Sequence, residues 1–192
     1  MTVLANGIVE KSRKFRNKIF DKPADLLVKL KVSPNMITFI SLLCGIAAAY
    51  FLFQNYLLFF LFGLLHLFLD GLDGVVARKA NKQTKLGIYL DLITDRLVNL
   101  ALLIKISFFL ADYYVIFVIM IFFMSQLNYF VSKMKCPIMF SRTAVVIILM
   151  FGALTGHIFV ANVAYLTVGV IALYSLMLQF GYFFRLMRTK RS

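Results

Sequence analysis

YLLFFLFGLLHLFLDGLDGVVARKANKQTKLGIYLDLITD, residues 56–95, reads as two long apolar segments joined by a short cationic loop. Each segment is interrupted by two aspartates, Asp70 and Asp73 in the first, Asp91 and Asp95 in the second. A carboxylate inside hydrocarbon costs at least ~2.5–3.5 kcal/mol on insertion scales, so an acid within a span marks a function until shown otherwise. The chain has only eight acidic residues, and half of them fall between positions 70 and 95. A bound divalent metal is the simplest shared reason.

Outward from this stretch, the composition is that of a membrane protein. The chain of 192 residues is 62% hydrophobic, whereas a soluble domain is about half apolar. Apolar runs of about 20 residues, enough to cross a ~30 Å hydrocarbon core, recur along it. They predict an all-α polytopic bundle of six transmembrane helices, over 36–54, 56–77, 87–110, 113–134, 143–160 and 163–184. The first 30 residues are charged and have no compact apolar core, so no cleavable signal is expected. Instead, residues 1–32 predict an amphipathic helix on the membrane surface. Val9, Phe15, Ile19, Phe20, Leu26, Leu27 and Leu30 would form its apolar side, and Lys11, Arg13, Lys14, Lys18 and Lys22 its cationic side. Pro23 is expected to bend or divide it. Ser33 before Pro34 is placed to cap the first span. The six-helix transmembrane domain then takes residues 33–192.

A net charge of +13 raises the question of nucleic acid, but the distribution answers it. Eight of the 21 Lys and Arg precede Ser33, four lie in 78–85, three in 133–142 and four after Phe184. The turns near Asn55, Asp112 and Asn162 have none. Basic and neutral loops alternate, which places both termini in the cytoplasm and assigns the charge to topology and anionic lipid. Nucleic acid is not an expected partner. Cys44 and Cys136 lack disulfide or zinc spacing and read as packing or surface thiols. The Phe-rich stretch at 59–68 reads as packing or lipid-facing surface. His66 reads as a helix–helix hydrogen bond before a role beside Asp70, His157 as packing or interfacial, and Asp112 as an exposed charge.

Residues three or four apart share a helix face, so Asp70 pairs with Asp73 and Asp91 with Asp95. Asp73 lies five residues before Arg78 and Asp91 four beyond Gly87, at similar depths, and antiparallel helices can bring all four carboxylates together. Such a group repels itself unless a cation neutralises it. Oxygen-only donors favour Mg²⁺, Mn²⁺ or Ca²⁺ over zinc, and two ions about 3.5–4 Å apart suit phosphoryl transfer. Gly71, Gly74 and Gly87 each lower helix stability by about 1 kcal/mol relative to Ala. They serve either close helix packing or room for a phosphate against bare backbone, and Arg78 could grip that phosphate.

Asp70, Asp73, Gly74, Ala77, Arg78, Gly87, Asp91 and Asp95 match D-x2-D-G-x2-A-R-x8-G-x3-D-x3-D without a gap. The pattern resembles that of the CDP-alcohol phosphotransferase family. Pro34, Asn35, Thr38 and Gly45 are similar to the P-N-x2-T segment that opens the family's first span. The resemblance implies displacement of CMP from a CDP-linked lipid, CDP-diacylglycerol or its archaeal ether equivalent, by the hydroxyl of a small polar alcohol. It implies two divalent cations, Mg²⁺ or Mn²⁺, on Asp70, Asp73 and Asp91 with Asp95 contributing, and Asp95 as the base. Gly74, Ala77, Arg78 and Gly87, with Asn35 and Thr38, would line the CDP-lipid side. It implies an integral membrane protein with its active site at the cytoplasmic face, and a homodimer.

The acceptor stays open between phosphorylated polyols. Phe140-Ser141-Arg142-Thr143 resembles the fifth-span start of inositol-phosphate members, which have a second Arg where this chain has Val145. The loop 81–87 resembles that of glycerophosphate members. Lys133, Lys135 and Arg142 are candidates for the acceptor's phosphate. Serine or an aminoalcohol is the alternative acceptor, and a divalent-cation transporter the alternative class. A transporter would place its acids near the midplane in symmetry-related halves.

Overall fold

Apolar runs this long satisfy their backbone only as helices, and helices are what form. A computed structural model describes residues 19–189, which contain no strand. Residues 19–29 are helical. Six longer helices follow: α1 (Pro34–Phe51), α2 (Tyr56–Lys79), α3 (Lys85–Leu110), α4 (Tyr113–Val131), α5 (Arg142–Thr155) and α6 (Phe159–Thr189). Four of them, α1, α2, α4 and α6, have the length and composition to cross a membrane. The two others depart from the six expected spans for separate reasons. α3 is 26 residues long but carries Lys85, Asp91, Asp95, Arg96 and Lys105. α5 is apolar but only 14 residues long, because Gly156 at φ 69° turns the chain before residue 160. Large side chains such as Phe108 (84%), Leu57 (76%) and Phe180 (75%) stand exposed. An apolar surface this extensive needs lipid around it; the molecule is an all-α membrane protein.

Helix starts are built by side-chain caps. Ser33, Asn55 and Asp112 each accept a backbone N–H of the following turn through a side-chain oxygen, and Thr84 accepts that of Gly87. Asp112 does more than its expected role as an exposed charge, because Tyr165 also donates to it at 3.2 Å. Helix ends use the left-handed conformation with residues other than glycine. Lys31, Asn81 and Lys133 have φ of 57°, 52° and 55°. Each is followed by a residue whose N–H reaches back five positions, Val32 to Leu27, Lys82 to Ala77 and Met134 to Tyr129. These are Schellman motifs.

The described chain divides into two compact units. The first comprises the residues through Ala47 together with Leu61–Leu97. Its core joins Ala24, Ile37, Leu72, Val75 and Val76, with Phe20, Leu27 and Val28 packed on it. Residues 19–29 thus bury one side on α2 and leave Ile19, Leu26 and Leu30 exposed. The helix continues through Pro23. The rest of the expected surface helix, residues 1–18, lies outside the described residues. Within this unit His66 is fully buried and joins α2 to α1. Its Nδ1 lies 2.8 Å from the Ser41 carbonyl, and the Ser41 hydroxyl donates to the His66 carbonyl at 3.1 Å.

The second unit, Ala48–Phe60 with the described residues from Val98 onward, has α6 packed on both α4 and α5. Gly169 lets Val118 approach, since a Cβ there would lie 3.1 Å from it. Gln179 donates to the Ser125 carbonyl at 3.0 Å. Cys136 is buried, donates its thiol to the Asn128 carbonyl at 3.5 Å and forms no disulfide.

Candidate active site

Everything in this site comes from the first unit. α2 ends in the Schellman turn at Asn81 and α3 starts at the Thr84 cap, so a short loop returns the chain antiparallel. The four-residue spacing then places Asp91 and Asp95 on one face of α3. One carboxylate oxygen from each of Asp70, Asp91 and Asp95 lies within 4.8 Å of the other two, and all three residues are half-buried. Carboxylates held this close raise one another's energy when ionised, and a cation among them lowers that cost. The cluster's donors are all oxygen, from two helices, which fits Mg²⁺, Mn²⁺ or Ca²⁺ and not a thiolate- or imidazole-binding metal.

Asp73 is set differently. It is 6% exposed and accepts a 2.6 Å hydrogen bond from the Thr38 hydroxyl of α1. Thr38 therefore holds a carboxylate. Sequence reasoning had placed it only beside the lipid nucleotide, since nothing at its own position shows that α1 crosses α2 there.

The three glycines separate by what stands over them. A Cβ on Gly71 would collide with the Phe20 ring at 2.8 Å; this glycine serves packing. A Cβ on Gly74 would meet only the Arg78 guanidinium, at 3.4 Å. Here the bare helix leaves room for a cationic group, with Ala77 half-buried on the same turn. At Gly87 the neighbours are Asn35 Oδ1 and Thr84 Oγ1, both at 3.2 Å, so the start of α1 lies against the start of α3. Asn35, Gly87, Thr38, Asp73 and the carboxylate cluster thus belong to one unit.

The cationic candidates for the acceptor belong to the second unit. Lys133 and Lys135 are exposed, but Arg142 is 6% exposed at the first position of α5. Ser141 before it makes no side-chain cap to α5 and instead accepts from Asn99 at 2.7 Å. Val145, which stands where the inositol-phosphate pattern has a second arginine, is fully buried.

The sequence pattern of CDP-alcohol phosphatidyltransferases matches residues 31–181. The chain belongs to that family. Among curated relatives of this CDP-alcohol phosphatidyltransferase-family chain, the bifunctional IPC transferase and DIPP synthase of Archaeoglobus fulgidus is 39% identical over 99 residues. That match covers 50% of this chain and 19% of the relative. The archaetidylinositol phosphate synthase of Pyrococcus horikoshii is 38% identical over 82 residues, 42% of this chain and 44% of the relative. The CDP-diacylglycerol–inositol 3-phosphatidyltransferase of Drosophila melanogaster is 29% identical over 114 residues, 59% of this chain and 47% of the relative. The matched part thus spans less than half the length of these relatives. Among solved structures, Mycobacterium tuberculosis phosphatidylinositol phosphate synthase with CDP-DAG bound superposes with a TM-score of 0.63. At 20% identity, over 85% of this chain and 91% of that one, the likeness is one of fold.

Proposed function

We propose that this family member transfers a phosphatidyl-type group from a CDP-linked lipid to the hydroxyl of a phosphorylated polyol, with inositol phosphate as the lead acceptor. The convergence of Asp70, Asp91 and Asp95 within 4.8 Å carries the proposal. Packing gives no reason to gather three carboxylates between apolar helices, and charge-neutralised phosphoryl transfer does.

Asp70, Asp73 and Asp91, with Asp95, would hold two divalent cations, Mg²⁺ or Mn²⁺. When bound, these supply Lewis-acid polarisation of the pyrophosphate and neutralise its charge. Asp95 takes the proton of the acceptor hydroxyl as general base. The acceptor oxygen forms a bond to the lipid-side phosphorus, the bridging P–O bond breaks, and CMP leaves. Arg78, over Gly74 and beside Ala77, grips the pyrophosphate; Asn35 and Gly87 shape the nucleotide side, and Thr38 holds Asp73 in place. Lys133, Lys135 and Arg142 are our candidates for the acceptor's phosphate.

We read 33–192 as one catalytic domain behind an N-terminal surface helix, 1–32. All six helices cross the bilayer, α3 with its charges turned inward and α5 as a short span of about 21 Å. Both termini and the site then lie on the cytoplasmic side, and the functional form is a homodimer. The names of the archaeal and Drosophila relatives support inositol chemistry. Glycerol phosphate is the next acceptor, serine or an aminoalcohol the one after. A transporter is disfavoured because all four aspartates lie in the halves of α2 and α3 next to the loop that joins them, whereas a transporter would spread its acids over symmetry-related halves.

The test supplies purified protein with CDP-diacylglycerol in mixed micelles and Mn²⁺ or Mg²⁺. Inositol 1-phosphate, glycerol 3-phosphate, serine and inositol are offered separately while CMP is followed. CMP release with inositol 1-phosphate above the others is expected. Release with serine alone would move the chain to the alternative acceptor class, and no release with any of them removes the transferase reading.

A further inference from the structure

Gly71 lies between the two α2 aspartates, and the space its side chain would need is already taken. A Cβ at 71 would stand 2.8 Å from Cε2 and 2.9 Å from Cζ of Phe20. The ring is itself fixed, meeting Phe68 edge-on with centroids 5.2 Å apart. Three residues behind it on the same helix, Ala24, Leu27 and Val28, belong to the core formed with Leu72, Val75 and Val76. At the far end of the contact, Lys79 Nζ lies 2.6 Å from an Asp21 carboxylate oxygen and 2.5 Å from one of Asp25. The helix at 19–29 therefore touches α2 from Phe68 to Lys79, a stretch that begins two residues before Asp70 and ends beside Arg78. A helix held at both ends of this contact and wedged at its glycine is not free to rotate about its axis or slide. Rotation or sliding of α2 is what would carry Asp70 and Asp73 out of register with α3.

We infer that the N-terminal helix is a splint for the aspartate-bearing turn, with Phe20 and Gly71 as positioning residues for the cation-binding cluster. The apolar ring sets the closeness of approach. The ion pairs at Lys79 are exposed, and such pairs add little, so they align the splint more than they hold it. For its activity readout this inference rests on the transferase reading; for its binding readout it does not.

The test uses the full chain in detergent micelles, with Mn²⁺ binding followed by the electron paramagnetic resonance of the free ion and CMP release measured in the same preparation. Gly71→Ala pushes the new methyl into the Phe20 ring. It is expected to weaken Mn²⁺ binding measurably and to lower CMP release by about 10–100-fold, the scale of a misplacement near 1 Å. Adding Phe20→Leu, which removes the ring tip that the methyl meets, is expected to restore most of the Mn²⁺ affinity. Phe20→Leu alone guards against a Gly71→Ala chain that fails to fold; it is expected to fold and to bind Mn²⁺ less tightly than the wild type. Wild-type Mn²⁺ affinity in the folded single variants, or a double variant no better than Gly71→Ala, overturns the splint. A wild type that binds Mn²⁺ yet releases no CMP counts against the transferase reading alone, and the Mn²⁺ affinities still judge the splint.

Discussion

In the unit formed by the described residues through Ala47 and Leu61–Leu97, the polar groups drawn between apolar helices include four carboxylates, one of them, Asp73, only 6% exposed. In the unit formed by Ala48–Phe60 and the chain from Val98, they are mostly neutral: Asn99, Ser125, Ser141, Ser175 and Gln179 are all at most 4% exposed. Neutral groups of this kind pair across helices and hold them together. Gln179 donates to the Ser125 carbonyl and Ser175 accepts from the Met139 amide. Such bonds average about 0.6 kcal/mol within membranes. Clustered carboxylates serve this purpose poorly, since when ionised they accept only and repel one another. One unit has a polar interior explained by packing; the other has an interior that packing leaves unexplained, and there we place the proposed chemistry. Arg142, the buried cation of the second unit, is the residue that blurs the division and the reason to keep it as an acceptor candidate.

The contrast can be broken most directly at Asp95. Asp95→Asn keeps the shape and removes the proposed base, so CMP release is expected to fall by about 10²–10⁴-fold with an unchanged elution profile in size-exclusion chromatography. Normal turnover would strip Asp95 of its role. A smaller effect is expected from Thr38→Val, which deletes the 2.6 Å hydroxyl bond to Asp73 at nearly constant volume. Bonds to charged groups contribute about 1.5–3 kcal/mol, which predicts a loss of roughly ten-fold or more in kcat/KM, read from CMP release against CDP-lipid concentration. The smallest is Gln179→Leu, in the unit whose polar groups serve packing. It should lower stability in micelles by about 1 kcal/mol or less and leave CMP release essentially as in the wild type. Were Gln179→Leu to abolish turnover, the two interiors would have to be regarded as one functional network.

Much of this arrangement was legible in the chain. The long apolar runs locate the helix cores, and the motif names the aspartates, because burying charge in a span is so unfavourable that few other reasons exist for it. Ser33 announces the start of α1. What stayed illegible has identifiable physics. Helix ends at Lys31, Asn81 and Lys133 use left-handed residues without glycine, so only the hydrogen bonds betray them. α5 stops at Thr155 because Gly156 turns the chain, although the apolar run continues to residue 160. The contacts of Phe20 with Gly71, and of Asp21 and Asp25 with Lys79, join residues more than 50 positions apart. Read alone, residues 19–30 suggest part of a surface helix whose apolar side faces lipid, whereas part of that apolar surface belongs to the protein interior.

Thr38 owns a single hydroxyl proton and faces two takers, the Asp73 oxygen at 2.6 Å and the Pro34 carbonyl at 3.2 Å. If Asp73 turns toward a bound cation, rotation of the Thr38 hydroxyl about its Cβ–Oγ bond redirects that proton to the carbonyl one turn earlier. No donor is stranded in either position. The carboxylate nearest α1 can thus be released or recaptured without disturbing the backbone that carries it.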